Sequence, residues 1–241
     1  MTLTFVLAES ALQTVPMEIQ SHPQIKRYAE RRDKGTDEVL LDRAYHHAAM
    51  KQLARTRRQV PVERMGRPDI THTSLLQILE TPLNWEGHLQ TFIHTQDDYV
   101  ISVNPKVRIP KNYTRFVGLI EQLFSEGQVP NTGPQLLSVQ KMTLPQLVSH
   151  SKGSDVFAFS ILGKTMFMRD VSDLVSRTKN PMVLVGGFPR GHFTERTRRL
   201  VTQMFRVDYH SLDAWVVSGR FVYDFEWSIG VAKNRLKRTD T

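Results

Sequence analysis

The chain has 241 residues, 40 % of them hydrophobic and 23 % charged, with 13 Gly and 12 Pro. This composition excludes fibrous, low-complexity and disordered classes and can bury the core of one large domain or two small ones. Cysteine is absent, which removes disulfides, a Cys nucleophile, thiolate zinc sites and Fe–S ligation and fits a reducing, intracellular setting. Lys and Arg outnumber Asp and Glu by 32 to 24, a net charge of +8, and such a surplus points to a polyanionic partner.

The opening Leu3-Thr4-Phe5-Val6-Leu7-Ala8 is a β-branched and aromatic run that predicts a buried first strand ending at Glu9-Ser10. No signal peptide is indicated, and no apolar stretch reaches the ~20 residues needed to span a bilayer. A soluble, cytoplasmic protein with no membrane partner is expected. Lys26 to Lys34 is dense in charge and reads as a solvated face or loop. Leu41, Ala44, Tyr45, Ala48, Ala49 and Leu53 then fall at helical spacing, with Asp42 near the start and Arg55, Arg57 and Arg58 at the end, charges that suit the helix dipole. After the basic Pro61 to Asp69, Leu75, Leu76 and Leu79 mark a helix that stops before Pro82.

Leu89 to His94 and Tyr99 to Val103 read as a hairpin, and Asn112 is the predicted cap of a helix with the stripe Phe116, Leu119, Ile120, Leu123 and Phe124 that ends at Gly127. Gln128 to Pro134 is turn-rich. Val156 to Leu162 and Met182 to Val185 are predicted strands, with a short helix opened by Asp170 and Asp173 between them. A final long helix begins after Ser211, carries Leu212, Trp215, Val216, Val222 and Phe225, and ends in the basic tail Lys233, Arg235, Lys237 and Arg238. Strands alternating with helices predict an α/β fold on a mostly parallel sheet.

A Walker phosphate loop, a HExxH pair and a GxSxG elbow are all missing, so hydrolase and nucleoside-triphosphatase readings lose their usual support. His46 and His47 are adjacent and cannot face one metal from a regular helix, and no metal site is expected. Gly186-Gly187-Phe188-Pro189-Arg190-Gly191 follows a buried strand, where glycines let a ligand approach the backbone; taken alone, a tight structural turn serves as well. Tyr99 to Ile120 contains Lys106, Arg108, Lys111 and Arg115 and no acidic residue. Lys111 and Arg115 fall at the start of a helix whose N–H groups add to their charge, which favours RNA phosphate contact over a merely solvated loop. In Gly66-Arg67-Pro68-Asp69-Ile70, Pro68 biases Arg67 toward extended geometry, and an Arg67–Asp69 pair is expected to hold the turn.

Six segments together resemble the SPOUT-class ribosome-biogenesis methyltransferases that methylate N1 of a pseudouridine in small-subunit ribosomal RNA. They are Leu7 to Leu12, Gly66 to His72, Phe92 to Thr95, Val103 through Pro110, Arg115 to Leu119, and Val185 to Pro189. The compact length resembles archaeal members. The resemblance implies an α/β fold with a deep trefoil knot in the C-terminal half, one domain over residues 1–241 with a basic insertion at about 26–67, and a homodimer. It implies S-adenosylmethionine as cofactor, S-adenosylhomocysteine as product and no metal. By the same resemblance the cofactor contacts Ile161, Leu162, Gly163, Val185, Gly186, Gly187, Phe188, Tyr209, His210, Ser211, Leu212 and Ala214. His210 and Asp213 depart from the family's usual pattern there. The RNA-binding residues implied are Arg67, Asp69, Arg108, Lys111 and Arg115, where Lys111 keeps the charge of an Arg without its bidentate fork.

The function implied is S-adenosylmethionine-dependent N1-methylation of a pseudouridine in small-subunit rRNA during ribosome biogenesis, with ribosomal proteins or assembly factors as further partners. A noncatalytic rRNA-binding assembly factor and a tRNA methyltransferase are the alternatives. The sequence does not name the base that takes the N1 proton: Asp69, Glu195 and a water are candidates, and a carboxylate paired with Arg67 is a weak base.

Overall fold

The computed structural model describes residues 1–56, 61–151 and 155–237; Arg57, Arg58 and Arg238 lie outside them. Its strands are β1 (Leu3–Ser10), β2 (Leu89–Thr95), β3 (Tyr99–Val103), β4 (Gln128–Val129), β5 (Leu137–Lys141), β6 (Val156–Thr165), β7 (Met182–Gly186) and β8 (Gln203–Arg206). They form one sheet in the order β4-β5-β3-β2-β1-β7-β6-β8. The pairs from β2 through β8 are parallel, whereas β2/β3, β3/β5 and β4/β5 are antiparallel.

β1 is central and buried at every position because both faces of the sheet are covered. Alternate residues divide between two layers. Leu3, Phe5 and Leu7 join Leu75, Phe116, Val171 and Phe221 in the larger core, while Val6 and Ala8 join Leu144, Leu147 and Phe193 on the other face.

The helices are α1 (Met17–Gln20), α2 (Pro23–Glu30), α3 (Arg43–Thr56), α4 (Pro68–Leu79), α5 (Pro82–Trp85), α6 (Tyr113–Glu126), α7 (Leu144–His150), α8 (Met168–Ser176), α9 (Glu195–Arg198), α10 (Ala214–Ser228) and α11 (Val231–Lys237). As predicted, the Asn112 side chain caps α6 by accepting from Arg115 N–H, and Gly127 ends it in the left-handed conformation. Pro68 stands in the first turn of α4, where its missing N–H costs nothing.

The segment between β1 and α4 builds a small core of its own from Ile19, Ile25, Ala29, Leu41, Ala49, Met50, Leu53 and Met65. Part of the charged run within it is not a solvated face. Arg32 and Lys34 turn to the buried Glu121 of α6, at 2.5 and 2.9 Å, and Glu121 also accepts the Leu40 N–H. These contacts dock the segment between β1 and α4 on α6.

Several elements were illegible in the sequence. β5 and β8 lie near the ends of the sheet and carry polar residues such as Ser138, Gln140, Gln203 and Arg206, so they lack the apolar alternation that marks a half-buried strand. The final helix is two helices, because Gly230 interrupts the run after Ser228. Among the described residues, no helix is long and apolar enough to cross a membrane.

β6 pairs with β8 at Phe157 to Phe159 and again at Lys164 and Thr165, with a register break between. Residues 160–163 thus bulge out of the ladder, and Gly163 lies so close to β8 that an added Cβ would stand 2.5 Å from the Met204 carbonyl carbon and the Phe205 nitrogen. Those neighbours are backbone and cannot swing away. Gly163→Ala should therefore destabilise the fold by about 1–3 kcal/mol, read as a fall in melting temperature of about 2–4 °C per kcal/mol for a chain of this size.

Candidate functional site

At the carboxyl ends of β6 and β7, three distant segments meet around a cleft of about 340 Å³. It is lined by Phe159, Ser160 and Ile161 at the end of β6's regular pairing, by Val185 to Phe193 without Gly187, and by Ser211 to Trp215 at the start of α10. A smaller recess of about 70 Å³ continues from it past Ile161 to His210 and Ser211. Openings at the carboxyl edge of parallel strands are the usual ligand position in α/β folds, and the larger volume suits a small organic molecule.

The structure thus gathers seven of the predicted cofactor residues, Ile161, Val185, Gly186, Phe188, Ser211, Leu212 and Ala214, around one cleft, with His210 in the adjoining recess. It does not bring Leu162, Gly163, Gly187 or Tyr209 to the cleft wall. Leu162 and Tyr209 point to solvent, and Gly163 is needed against β8. Gly187 rests on Ser10, with a hypothetical Cβ 2.2 Å from Ser10 Oγ, and one on Gly186 would meet the Phe188 ring at 2.8 Å. The glycine pair therefore serves close packing as much as ligand approach. Sequence reasoning missed Arg190, His192, Trp215 and Val217, which also line the cleft, and it treated Asp213 only as a departure. Asp213 is the single carboxylate on the wall, and its side chain does not cap α10.

The loop after β7 is held from behind by a group of buried charges. Glu9, at the end of β1, is 4 % exposed and adopts φ +52°, a left-handed conformation that a non-glycine residue keeps only where its surroundings enforce it. Its N–H donates to His94 Nδ1. Its carboxylate accepts from Arg64 at 2.6 Å and from the N–H and hydroxyl of Thr194 at 2.9 and 2.6 Å. Arg64 also donates to the His192 carbonyl at 2.6 Å and stacks its guanidinium 4.0 Å from the Phe188 ring centre. Arg64 thus holds the cleft-lining loop at Phe188 and at His192.

Arg67 lies on the cleft wall, and Asp69 holds it through two parallel bonds, Nε to Oδ1 at 2.8 Å and Nη2 to Oδ2 at 2.7 Å. The hydrogen bond to Asp69 is the main cause of a guanidinium pKa raised above its ordinary value. Arg108, Lys111 and Arg115 are exposed around the start of α6, and among the described residues none has a carboxylate partner. His72 of α4 ties this strip to the Arg67 turn by donating to the Pro110 carbonyl at 2.8 Å and stacking on Phe116. Glu195 stands outside the cleft and pairs with Arg198 and Arg199. No group of three or more His, Asp or Glu among the described residues could hold a metal.

The EMG1/NEP1 methyltransferase family matches residues 5–226 of this sequence. The ribosomal RNA small subunit methyltransferase Nep1 of Pyrococcus furiosus is 38 % identical over 227 residues, covering 94 % of this chain and 97 % of its own. Its counterpart in Pyrobaculum aerophilum is 39 % identical over 230 residues, covering 95 % of this chain and all of its own. The crystal structure of Archaeoglobus fulgidus Nep1 bound to S-adenosylhomocysteine superposes with a TM-score of 0.82 at 31 % identity, covering 95 % of this chain and 100 % of that one.

Removing Arg64 would leave Glu9 buried without its countercharge. Arg64→Met should cost about 3–5 kcal/mol, and combining it with Glu9→Gln should cost less than the single change; urea unfolding of both variants reads this coupling.

Proposed function

The chain belongs to the EMG1/NEP1 methyltransferase family, and from that membership we infer that it is an S-adenosylmethionine-dependent methyltransferase of small-subunit ribosomal RNA whose target atom is N1 of a pseudouridine. Its fold is the α/β knot of the SPOUT class. The observation that carries the reading is the single cleft in which the predicted cofactor segments meet Arg67, a residue of the predicted RNA surface.

The cleft fits the cofactor. Phe159, Ile161, Val185 and Leu212 offer apolar walls, the backbone of 186–191 offers polar groups at an open edge, and Asp213 supplies one negative charge toward a cationic ligand. When bound, S-adenosylmethionine supplies a sulfonium methyl that a ring nitrogen can take by in-line displacement. The protein's part is to hold base and methyl donor in near-attack geometry. On this reading Arg67, fixed by Asp69, meets the entering base, and Arg108, Lys111 and Arg115 offer their charge to the phosphates of an RNA loop from which the base is splayed. Asp69 is paired with Arg67, and Glu195 with Arg198 and Arg199; on this reading Asp213, the carboxylate that lines the cleft, takes up the N1 proton. Uridine presents carbon where pseudouridine presents N1, so the base itself supplies selectivity.

A homodimer accompanies this reading. Along α10, Val216, Tyr223 and Trp227 recur on one face and remain exposed, Tyr223 and Trp227 at 59 % and 49 %. A stripe of exposed aromatic side chains at this spacing suits burial against a second copy.

With labelled S-adenosylmethionine and two rRNA hairpins differing only in pseudouridine or uridine, label should enter the pseudouridine hairpin alone; equal labelling would refute the target assignment. Light scattering should give twice the chain mass, and Tyr223→Glu with Trp227→Glu should give a folded monomer. A double variant that stays dimeric would place the interface elsewhere.

A further inference from the structure

Arg67 and Arg190 reach the cleft from different elements, the cap of α4 and the loop after β7. A third arginine is tied to the Arg67 turn through the backbone. Arg43, in the first turn of α3, has its N–H bonded to the Gly66 carbonyl at 2.9 Å, directly before Arg67, whose own N–H is bonded to Ala11 at 3.0 Å. Arg43 Nη2 donates to the Val62 carbonyl at 2.5 Å, while its Nε is buried with no hydrogen-bond partner. Burial, and then the charges of Arg67 and Arg190, lower the Arg43 pKa, and Glu63 opposes them.

The nearby acids are largely occupied. Asp69 is taken by Arg67, and Asp42 accepts from the Tyr113 hydroxyl and the Ala44 N–H. Asp213 also acts on Arg67. Arg190 is exposed and makes no ion pair with a described carboxylate. Cations held together with an unsatisfied buried N–H cost free energy until an anion joins them.

We propose that Arg43, Arg67 and Arg190 form an anion subsite that holds an RNA backbone phosphate beside the base to be methylated. The insertion thereby contributes Arg43 to substrate positioning as well as Arg64 to the loop. The subsite rests on the rRNA-methyltransferase reading above. A phosphate fits because guanidinium forks match its oxygens and because two of the three arginines, Arg67 and Arg190, line the cleft.

The test uses the full chain, a pseudouridine-containing rRNA hairpin, and the variants Arg43→Met, Arg190→Met and their Lys counterparts. Each Met variant should weaken RNA binding about tenfold or more and flatten the slope of log K against log salt by about 0.7. Affinity for S-adenosylhomocysteine, read by calorimetry, should fall by less than affinity for RNA in each Met variant, and the Lys variants should recover the slope but only part of the RNA affinity. Arg43→Met also loses the bond to Val62; Arg190 makes no such bond, so its variant keeps the test valid if Arg43→Met does not fold. An unchanged salt slope in Arg190→Met would overturn the subsite while leaving the enzyme reading intact. So would a large loss of S-adenosylhomocysteine affinity with RNA binding preserved, which would give the subsite to the cofactor's carboxylate. A wild-type chain that neither binds nor methylates the hairpin would overturn both.

Discussion

The Glu9 carboxylate is the charge on which the site depends. It is buried at the end of the central strand, where an unpaired ion would cost several kcal/mol, and its partners come from 55 residues away at Arg64 and 185 residues away at Thr194. Meeting that one charge draws the insertion and the loop after β7 onto the end of β1. The same Arg64 then bonds His192 and covers Phe188, so the wall of the cleft and the insertion become one mechanical unit. Phe193 adds an apolar anchor by entering the core on the far side of the sheet.

Parallel strands put their carboxyl ends along one edge, and the register break in β6 opens that edge further by lifting residues 160–163 out of the ladder. A cofactor placed there lies within one cavity with Arg67. A methyl already activated by positive sulfur asks the protein chiefly for alignment with the acceptor atom.

The surplus charge divides three ways. Arg32 and Lys34 bind the insertion to α6 through Glu121, and Arg235 holds α11 to Glu86 beside Trp85. Arg64 and Arg67 are engaged by Glu9 and Asp69 and shape the cleft. Arg108, Lys111, Arg115 and Arg190 are among the charges that remain exposed without an ion pair to a described carboxylate.

What the sequence determined by itself was local: the first strand, the hairpin, α6 with its Asn112 and Gly127 ends, the Arg67–Asp69 turn, and the short motifs that carry the family resemblance. Each depends on residues within one turn or one strand, where spacing and propensity act directly. The tertiary structure decided the rest. Whether Lys34 is solvent or docking charge depends on Glu121, far along the chain; whether Gly187 serves a ligand or Ser10 depends on how closely two strands approach. Arg43, Arg64 and Arg190 carry no local signal, because their roles arise only when folding brings separate segments around one buried carboxylate and one cleft.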